Sequence, residues 1–188
     1  MWRWGLLLGL LAAPVIAAAF SPYLAWRGPV YIAAGFCGII GMAVMPLQPV
    51  LARNVLPGLK PIRARTFHKW VGGLLLLCVM LHVAGLWLTS PPDMLDALFF
   101  RAPTLFSLWG VLAMWVIFAT ALLALLRRKI GLRFRHWQFA HLTLTTLAVT
   151  LTCAHAVLIE GTMETATKYL LCALCLGGLV LSWRGIRI

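Results

Sequence analysis

Six long apolar runs dominate this 188-residue chain and constrain its fold more than any other feature. Each run is long enough, or nearly so, to cross a hydrocarbon core of ~30 Å as an α-helix. Because 63% of the residues are apolar and only 11% are charged, the composition is also that of a membrane protein. We therefore predict an all-α membrane protein, a six-transmembrane helical bundle that forms a single domain over residues 1–188. The predicted spans cover roughly 4–20, 30–52, 67–89, 105–126, 137–159 and 166–183.

The charged residues predict the orientation of this bundle. In a six-span arrangement 13 of the 16 basic residues, Arg187 near the end of the chain among them, fall on one side of the membrane. All four acidic residues fall on the other side, namely Asp93, Asp96, Glu160 and Glu164. The positive-inside rule then places both termini and both basic loops in the cytoplasm, beside anionic lipid headgroups. The net charge of +12 is therefore a topology signal, and we expect no nucleic-acid partner.

The first apolar run has a second interpretation. Its basic start, apolar middle and small residues, WRWGLLLGLLAAPVIAAAF, also fit a signal peptide. We favour a retained helix, because six spans return both termini to the basic side. The other five spans keep their orientation if the segment is cleaved.

Two pairs of histidines lie inside the apolar spans. His68 and His82 belong to the third span, and His141 and His155 to the fifth, and the members of each pair are fourteen positions apart. Fourteen residues make almost four helical turns, so each pair shares a helix face and is separated by ~21 Å along the axis. The two spans run in the same direction, which places His68 and His141 at the cytoplasmic level. If the two helices face one another, the four imidazoles form two pairs stacked across the membrane.

Packing is the simplest alternative role for these histidines. A single intramembrane histidine often bonds to a carbonyl or hydroxyl group of a neighbouring helix. That role explains each histidine singly but not the identical spacing and the matched depths. Ionisable residues in spans are costly and are usually functional, and no span contains an Asp or Glu to pair with them. Two imidazoles on facing helices are what the axial positions of a haem iron require, and this is our leading hypothesis.

The helical period defines the positions between the histidines on each shared face. On the third span these are Gly72, Leu75 and Val79, and on the fifth they are Thr145, Ala148 and Thr152. The residues of the fifth span are small and uncharged, which would leave room for a flat macrocycle. Close helix packing without any cofactor explains Gly72 equally well.

The two histidine segments, RTFHKWVGGLLLLCVMLH and WQFAHLTLTTLAVTLTCAH, resemble the ferric reductase-like transmembrane domain family. The chain is also similar to the short, stand-alone members of that family, the MsrQ-like membrane haem b proteins. The resemblance implies two b-type haems per chain. It implies that His68 and His141 bind the iron of the inner haem, and that His82 and His155 bind the iron of the outer one. Larger members carry flavin and nicotinamide domains that this sequence lacks, so the electron donor is not identified.

Basic residues near the inner histidine level are candidates for pairing with haem propionates. Arg65 is the one we assign to cofactor binding with Gly72, and Arg63 and Lys69 lie beside it. A role in topology alone explains each of these charges equally well. The fifth histidine, His136, does not share the fourteen-residue spacing, and we treat it as an interfacial residue.

Bis-histidine haem has no open coordination position, so it is suited to electron transfer. We expect a transmembrane electron conduit, the cytochrome b-like membrane subunit of an oxidoreductase in the bacterial inner membrane. Its donor would be a separate flavoprotein carrying FMN or FAD, or a quinol, on the cytoplasmic side, and its acceptor would be periplasmic. The alternative is a non-haem membrane transporter or a helical anchor subunit, although transporters prefer polar groups at broken helices. A hydrolase is excluded because the spans lack carboxylates and a supported nucleophile–base pair.

Overall fold

The structure is a computed structural model that describes residues 2–55 and 57–184, so Arg187 lies outside the described residues. Within these ranges the chain forms helices and no strand. The α-helices are α1 (Trp2–Ala19), α2 (Pro29–Val44), α3 (Leu47–Arg53), α4 (Pro61–Thr89), α5 (Pro91–Leu98), α6 (Leu105–Leu126), α7 (Phe134–Leu158) and α8 (Thr165–Trp183). Six stretches are long and apolar enough to cross a membrane. The predicted all-α, six-span fold is therefore confirmed.

The second span is broken near its basic end. It runs from Pro29 to Arg53 as one membrane-length stretch, but α2 stops at Val44 and α3 starts at Leu47. Pro46 lies at the break, where its missing N–H and its ring interrupt the helical hydrogen bonds. The break allows α3 to pack against α4 and α8, beside the first of the predicted histidine ligands.

Two helices begin earlier than their apolar runs. α4 starts at Pro61 and α7 at Phe134, whereas the spans were predicted from about 67 and 137. Hydropathy detects only the apolar part of a helix, and both helices continue into the basic segments that precede it. Pro61 stands at the first helical position, where a missing N–H is tolerated. The short helix α5 was not predicted.

The bundle is built around two closely packed helix pairs. α2 packs along α4, and α6 packs along α7. α8 contacts α7 and α3, and α1 covers α2 and α8. The α2–α4 contact is close, because a Cβ atom at Gly85 would come within 2.7 Å of the Ala34 Cβ. Each pair therefore contains one of the two histidine-bearing helices.

The five cysteines are free thiols, and four of them are buried. The Cys153 Sγ lies 4.0 Å from the Cys172 carbonyl, and the Cys172 Sγ lies 3.9 Å from the Cys153 carbonyl. Cys175 is only 2% exposed, in the main core. The CxxC spacing of Cys172 and Cys175 is therefore part of the packing between α7, α8 and α2, which suits cysteine as a small apolar residue.

Candidate functional site

The structure brings His82 of α4 and His155 of α7 together at the end of the bundle where the acidic residues lie. Their ring centroids are 6.4 Å apart, and their planes are inclined at 76°. Both side chains are partly buried. At this level the structure therefore brings one histidine of each helix close together, as the stacked-pair arrangement requires.

Each of these two rings is held by a backbone carbonyl of the helix that packs against its own helix. The His82 Nδ1 lies 2.7 Å from the Ala34 carbonyl oxygen in α2. The His155 Nδ1 lies 2.7 Å from the Phe106 carbonyl oxygen in α6. A carbonyl oxygen can only accept, so each Nδ1 carries the proton and donates it. The Nε2 atom then keeps a free lone pair, which is the state a metal-ligating imidazole needs.

A glycine lies next to each of these hydrogen bonds. A Cβ atom added at Gly38 would come within 3.0 Å of the His82 Nδ1, and one added at Gly110 within 2.7 Å of the His155 Nδ1. Each glycine stands four residues after the residue whose carbonyl accepts the bond. The two helix pairs therefore present the same local arrangement to the two histidines.

The histidines near the basic end are held differently. The His68 Nδ1 lies 3.1 Å from the Gln48 backbone carbonyl oxygen of α3, and the Gln48 side-chain amide lies 2.6 Å from the same nitrogen. The His141 ring instead stacks on Trp137, one helical turn earlier, with centroids 5.2 Å apart and planes at 15°. The Arg127 guanidinium lies 4.4 Å from the centroid of that tryptophan ring. His141 is therefore oriented by an aromatic stack rather than by a backbone carbonyl.

Three buried polar atoms of α7 lack a hydrogen-bond partner within residues 2–55 and 57–184. They are the Trp137 Nε1, the His141 Nδ1 and the Thr152 Oγ1. By contrast, the Thr145 and Thr146 hydroxyls donate to carbonyls one turn earlier, at 2.7 and 2.8 Å. A buried polar group without a partner costs about 1–3 kcal/mol. All three atoms without a partner lie on α7, which also carries the predicted ligands His141 and His155. This placement suits a cofactor with polar groups beside α7.

The other predicted site residues are placed as follows. Gly72 lies against α3, because an added Cβ would be 3.5 Å from the Gln48 side-chain amide. Leu75 and Val79 pack on the main core, and Ala148 is buried within it. Arg65 and His136 are exposed. Direct cofactor contacts for Gly72 and Arg65 remain predictions.

The separation of the acidic-end pair is that expected for two ligands of one haem iron. The described residues contain no cluster of three or more His, Cys, Asp or Glu side chains able to hold a metal ion, but a porphyrin supplies four ligands and needs only two from protein. A histidine nitrogen binds a first-row metal at about 2.0–2.1 Å, and it lies about 1.1 Å from its ring centre. Two rings on opposite faces of one iron should therefore have centroids about 6.3 Å apart. The measured separation of 6.4 Å agrees.

Comparison with known proteins identifies the family. The family model described as "Ferric reductase like transmembrane component" matches residues 37–158, which is more than half of the chain. The chain belongs to this family. No curated protein and no solved structure gives a significant match. Membership indicates a role in electron transfer across a membrane, and the matched region contains all four paired histidines.

The residues that orient the histidines were missed by sequence reasoning. The ferric reductase-like match includes Gly38 and Gly110, yet neither was singled out. Gly110 is the only glycine in the sequence of α6, and an isolated glycine in a bulky apolar helix is a usable signal of close approach. The carbonyl acceptors of Ala34 and Phe106 have no sequence signal, because every residue has a carbonyl group.

Proposed function

We propose that this protein transfers electrons across the membrane through two bis-histidine b-type haems. His82 and His155 would hold one haem, and His68 and His141 the other. The observation that carries the proposal is the orientation of the rings. His82 and His155 each donate Nδ1–H to a backbone carbonyl, which leaves Nε2 as the ligating atom. The 6.4 Å separation of the His82 and His155 rings adds independent support.

A haem bound in this way supplies a one-electron carrier whose iron has no open coordination position. The protein's contribution is to orient the ligands and to exclude water. His82 and His155 are only partly exposed. Before them on α4 and α7, Val79 packs against the apolar core and Cys153 belongs to it. The Trp137 indole and the Arg127 guanidinium would present a donor and a cation to the haem nearer the basic end.

The charges suggest the direction of transfer. The basic ends of α4 and α7 would face the cytoplasm under the positive-inside rule, so we place the donor there and the acceptor in the periplasm of a bacterial cell. An outward-moving electron gains ~2.3 kcal/mol per 100 mV of membrane potential, inside negative. A separate flavoprotein or a membrane quinol would serve as the donor. This orientation, the donor class and the bacterial inner membrane are parts of the proposal.

The test is an absorption spectrum of detergent-purified protein, oxidised and then reduced, with haem quantified per chain. Two low-spin haems per chain support the proposal. A protein that stays colourless after reconstitution with haem would overturn it, and a transporter or anchor subunit would then be the better assignment.

A further inference from the structure

We infer that Gly38 and Gly110 are positioning residues that set the two axial imidazoles of the acidic-end haem. Gly38 stands four residues after Ala34, and Gly110 four residues after Phe106. The carbonyl groups of these two earlier residues accept the hydrogen bonds from the histidine rings. This inference rests on the proposed function, because the rings are argued to be haem ligands. It goes further by assigning a role to two glycines on helices α2 and α6, which carry none of the four paired histidines.

The geometry of an α-helix explains why the fourth residue matters. A helical carbonyl at one position points toward the backbone N–H four residues later. A side chain of a neighbouring helix that donates a hydrogen bond to this carbonyl must therefore pass beside the side chain of that later residue. At Ala34 and Phe106 the later residues are Gly38 and Gly110. The imidazole therefore approaches across a surface without a Cβ atom.

The distances show that an added methyl group would require each histidine ring to shift. An alanine Cβ at Gly110 would lie 2.7 Å from the His155 Nδ1 and 2.9 Å from its Cε1. An alanine Cβ at Gly38 would lie 3.0 Å from the His82 Nδ1 and 3.1 Å from its Cε1. Contacts this short require the ring to move, and movement would lengthen the 2.7 Å hydrogen bonds. The stronger clash is at Gly110.

Close helix packing alone does not account for this pattern. At Gly85 an added Cβ would meet the Cβ of Ala34, which is an ordinary helix-to-helix contact. At Gly38 and Gly110 the three nearest atoms all belong to a histidine ring. Glycine inside a helix also costs about 0.5–1 kcal/mol relative to alanine. Both helix pairs place this unfavourable residue at the same position relative to a histidine.

The experiment compares Gly110→Ala and Gly38→Ala with the unchanged protein and with Gly177→Ala. Gly177 lies in α8, and an added Cβ there would have no atom within 4 Å. Haem per chain is quantified, and the ferric low-spin signals are recorded by electron paramagnetic resonance. The steep 76° angle between the His82 and His155 planes should give the acidic-end haem a strongly anisotropic signal. This signal reports the ring planes directly, which a general loss of stability would not shift.

We expect Gly110→Ala to shift that signal and to weaken retention of this haem by roughly 10- to 100-fold, as loss of a partner behind a metal ligand does. Gly38→Ala should act in the same direction but less strongly, and Gly177→Ala should change neither readout. The second haem should stay bound, which also shows that the variant has folded.

Two results would overturn the inference. One is a signal and a haem content in Gly110→Ala that match the unchanged protein. The other is loss of both haems in both variants, which would make the glycines general packing residues. Failure of the proposed function is a separate result, because then the unchanged protein itself would bind no haem.

Discussion

The rings of His82 and His155, from two helices that each pack mainly on another partner, face one another with centroids 6.4 Å apart. Each ring donates from Nδ1 to a carbonyl of its own packing partner at 2.7 Å. These hydrogen bonds turn the two Nε2 atoms away from α2 and α6. This arrangement supports the proposal that the pair ligates one group between α4 and α7.

Replacing either of these histidines should remove one haem only. Under the proposed assignment, His82→Ala and His155→Ala would each delete an axial ligand of the acidic-end haem, while His68 and His141 would remain to hold the other. The expected result is a fall from two haems per chain to about one, since an iron site rarely survives the loss of one of two protein ligands. Pyridine haemochrome quantification measures this. A full haem complement in both variants would contradict the ligand assignment.

Trp137 should matter for the haem near the basic end because its ring stacks on His141. Trp137→Phe keeps an aromatic face beside the imidazole, whereas Trp137→Leu removes it. We expect the leucine variant to hold this haem roughly 10-fold more weakly, in the range seen when a ligand loses the group that orients it. The phenylalanine variant should show a smaller loss of haem. That smaller loss measures the contribution of the indole N–H, because phenylalanine keeps the aromatic face and lacks only this donor. Equal haem retention in both variants and the unchanged protein would show that the stack does not orient His141.

Gly85 should be important for stability through the contact between α2 and α4. An alanine Cβ there would lie 2.7 Å from the Ala34 Cβ, so Gly85→Ala must push the helices apart. Overpacking of this kind costs about 1–3 kcal/mol. A thermal melt in detergent should show a lower midpoint for Gly85→Ala and no change for Gly177→Ala. An unchanged midpoint for Gly85→Ala would show that α2 and α4 can move apart to accept the methyl group without loss of stability.

The buried thiols should be unreactive in the folded protein. Cys153, Cys172 and Cys175 lie within the core, so a membrane-permeant maleimide should label them only after unfolding. Cys172→Ser and Cys175→Ser should keep the haem content of the unchanged protein. Fast labelling under native conditions, or loss of haem in these variants, would point to a redox role for the CxxC pair instead.

Much of the fold follows from the sequence because apolar length is a direct requirement of the bilayer. α6 was predicted at 105–126 and occupies Leu105–Leu126. The break at Pro46 was not predicted as the end of α2, since hydropathy does not respond to the missing N–H of proline. The helix α5 was missed for a related reason, because it is too short and too acidic to appear as an apolar run.

The candidate site was only partly predictable. The fourteen-residue spacing predicts the shared face and the depth of each histidine, because helical period and rise fix both, and the structure then places the His82 and His155 rings 6.4 Å apart. The same spacing treats all four histidines alike, yet only His141 lacks a carbonyl acceptor among the described residues. That difference arises from the position of α3, which follows the Pro46 break and brings the Gln48 carbonyl to His68. Contacts to backbone atoms depend on how the helices pack, and the residue types in the sequence do not predict them.

The most direct test of the electron-transfer account is the number of haems in the purified protein and their spectrum on oxidation and reduction. The account predicts two low-spin haems per chain, both reducible, with the four paired histidines accounting for all axial ligands. One haem in the unchanged protein would limit the ligand assignment to a single pair. A protein that binds no haem on reconstitution would contradict the account and return the four histidines to packing roles.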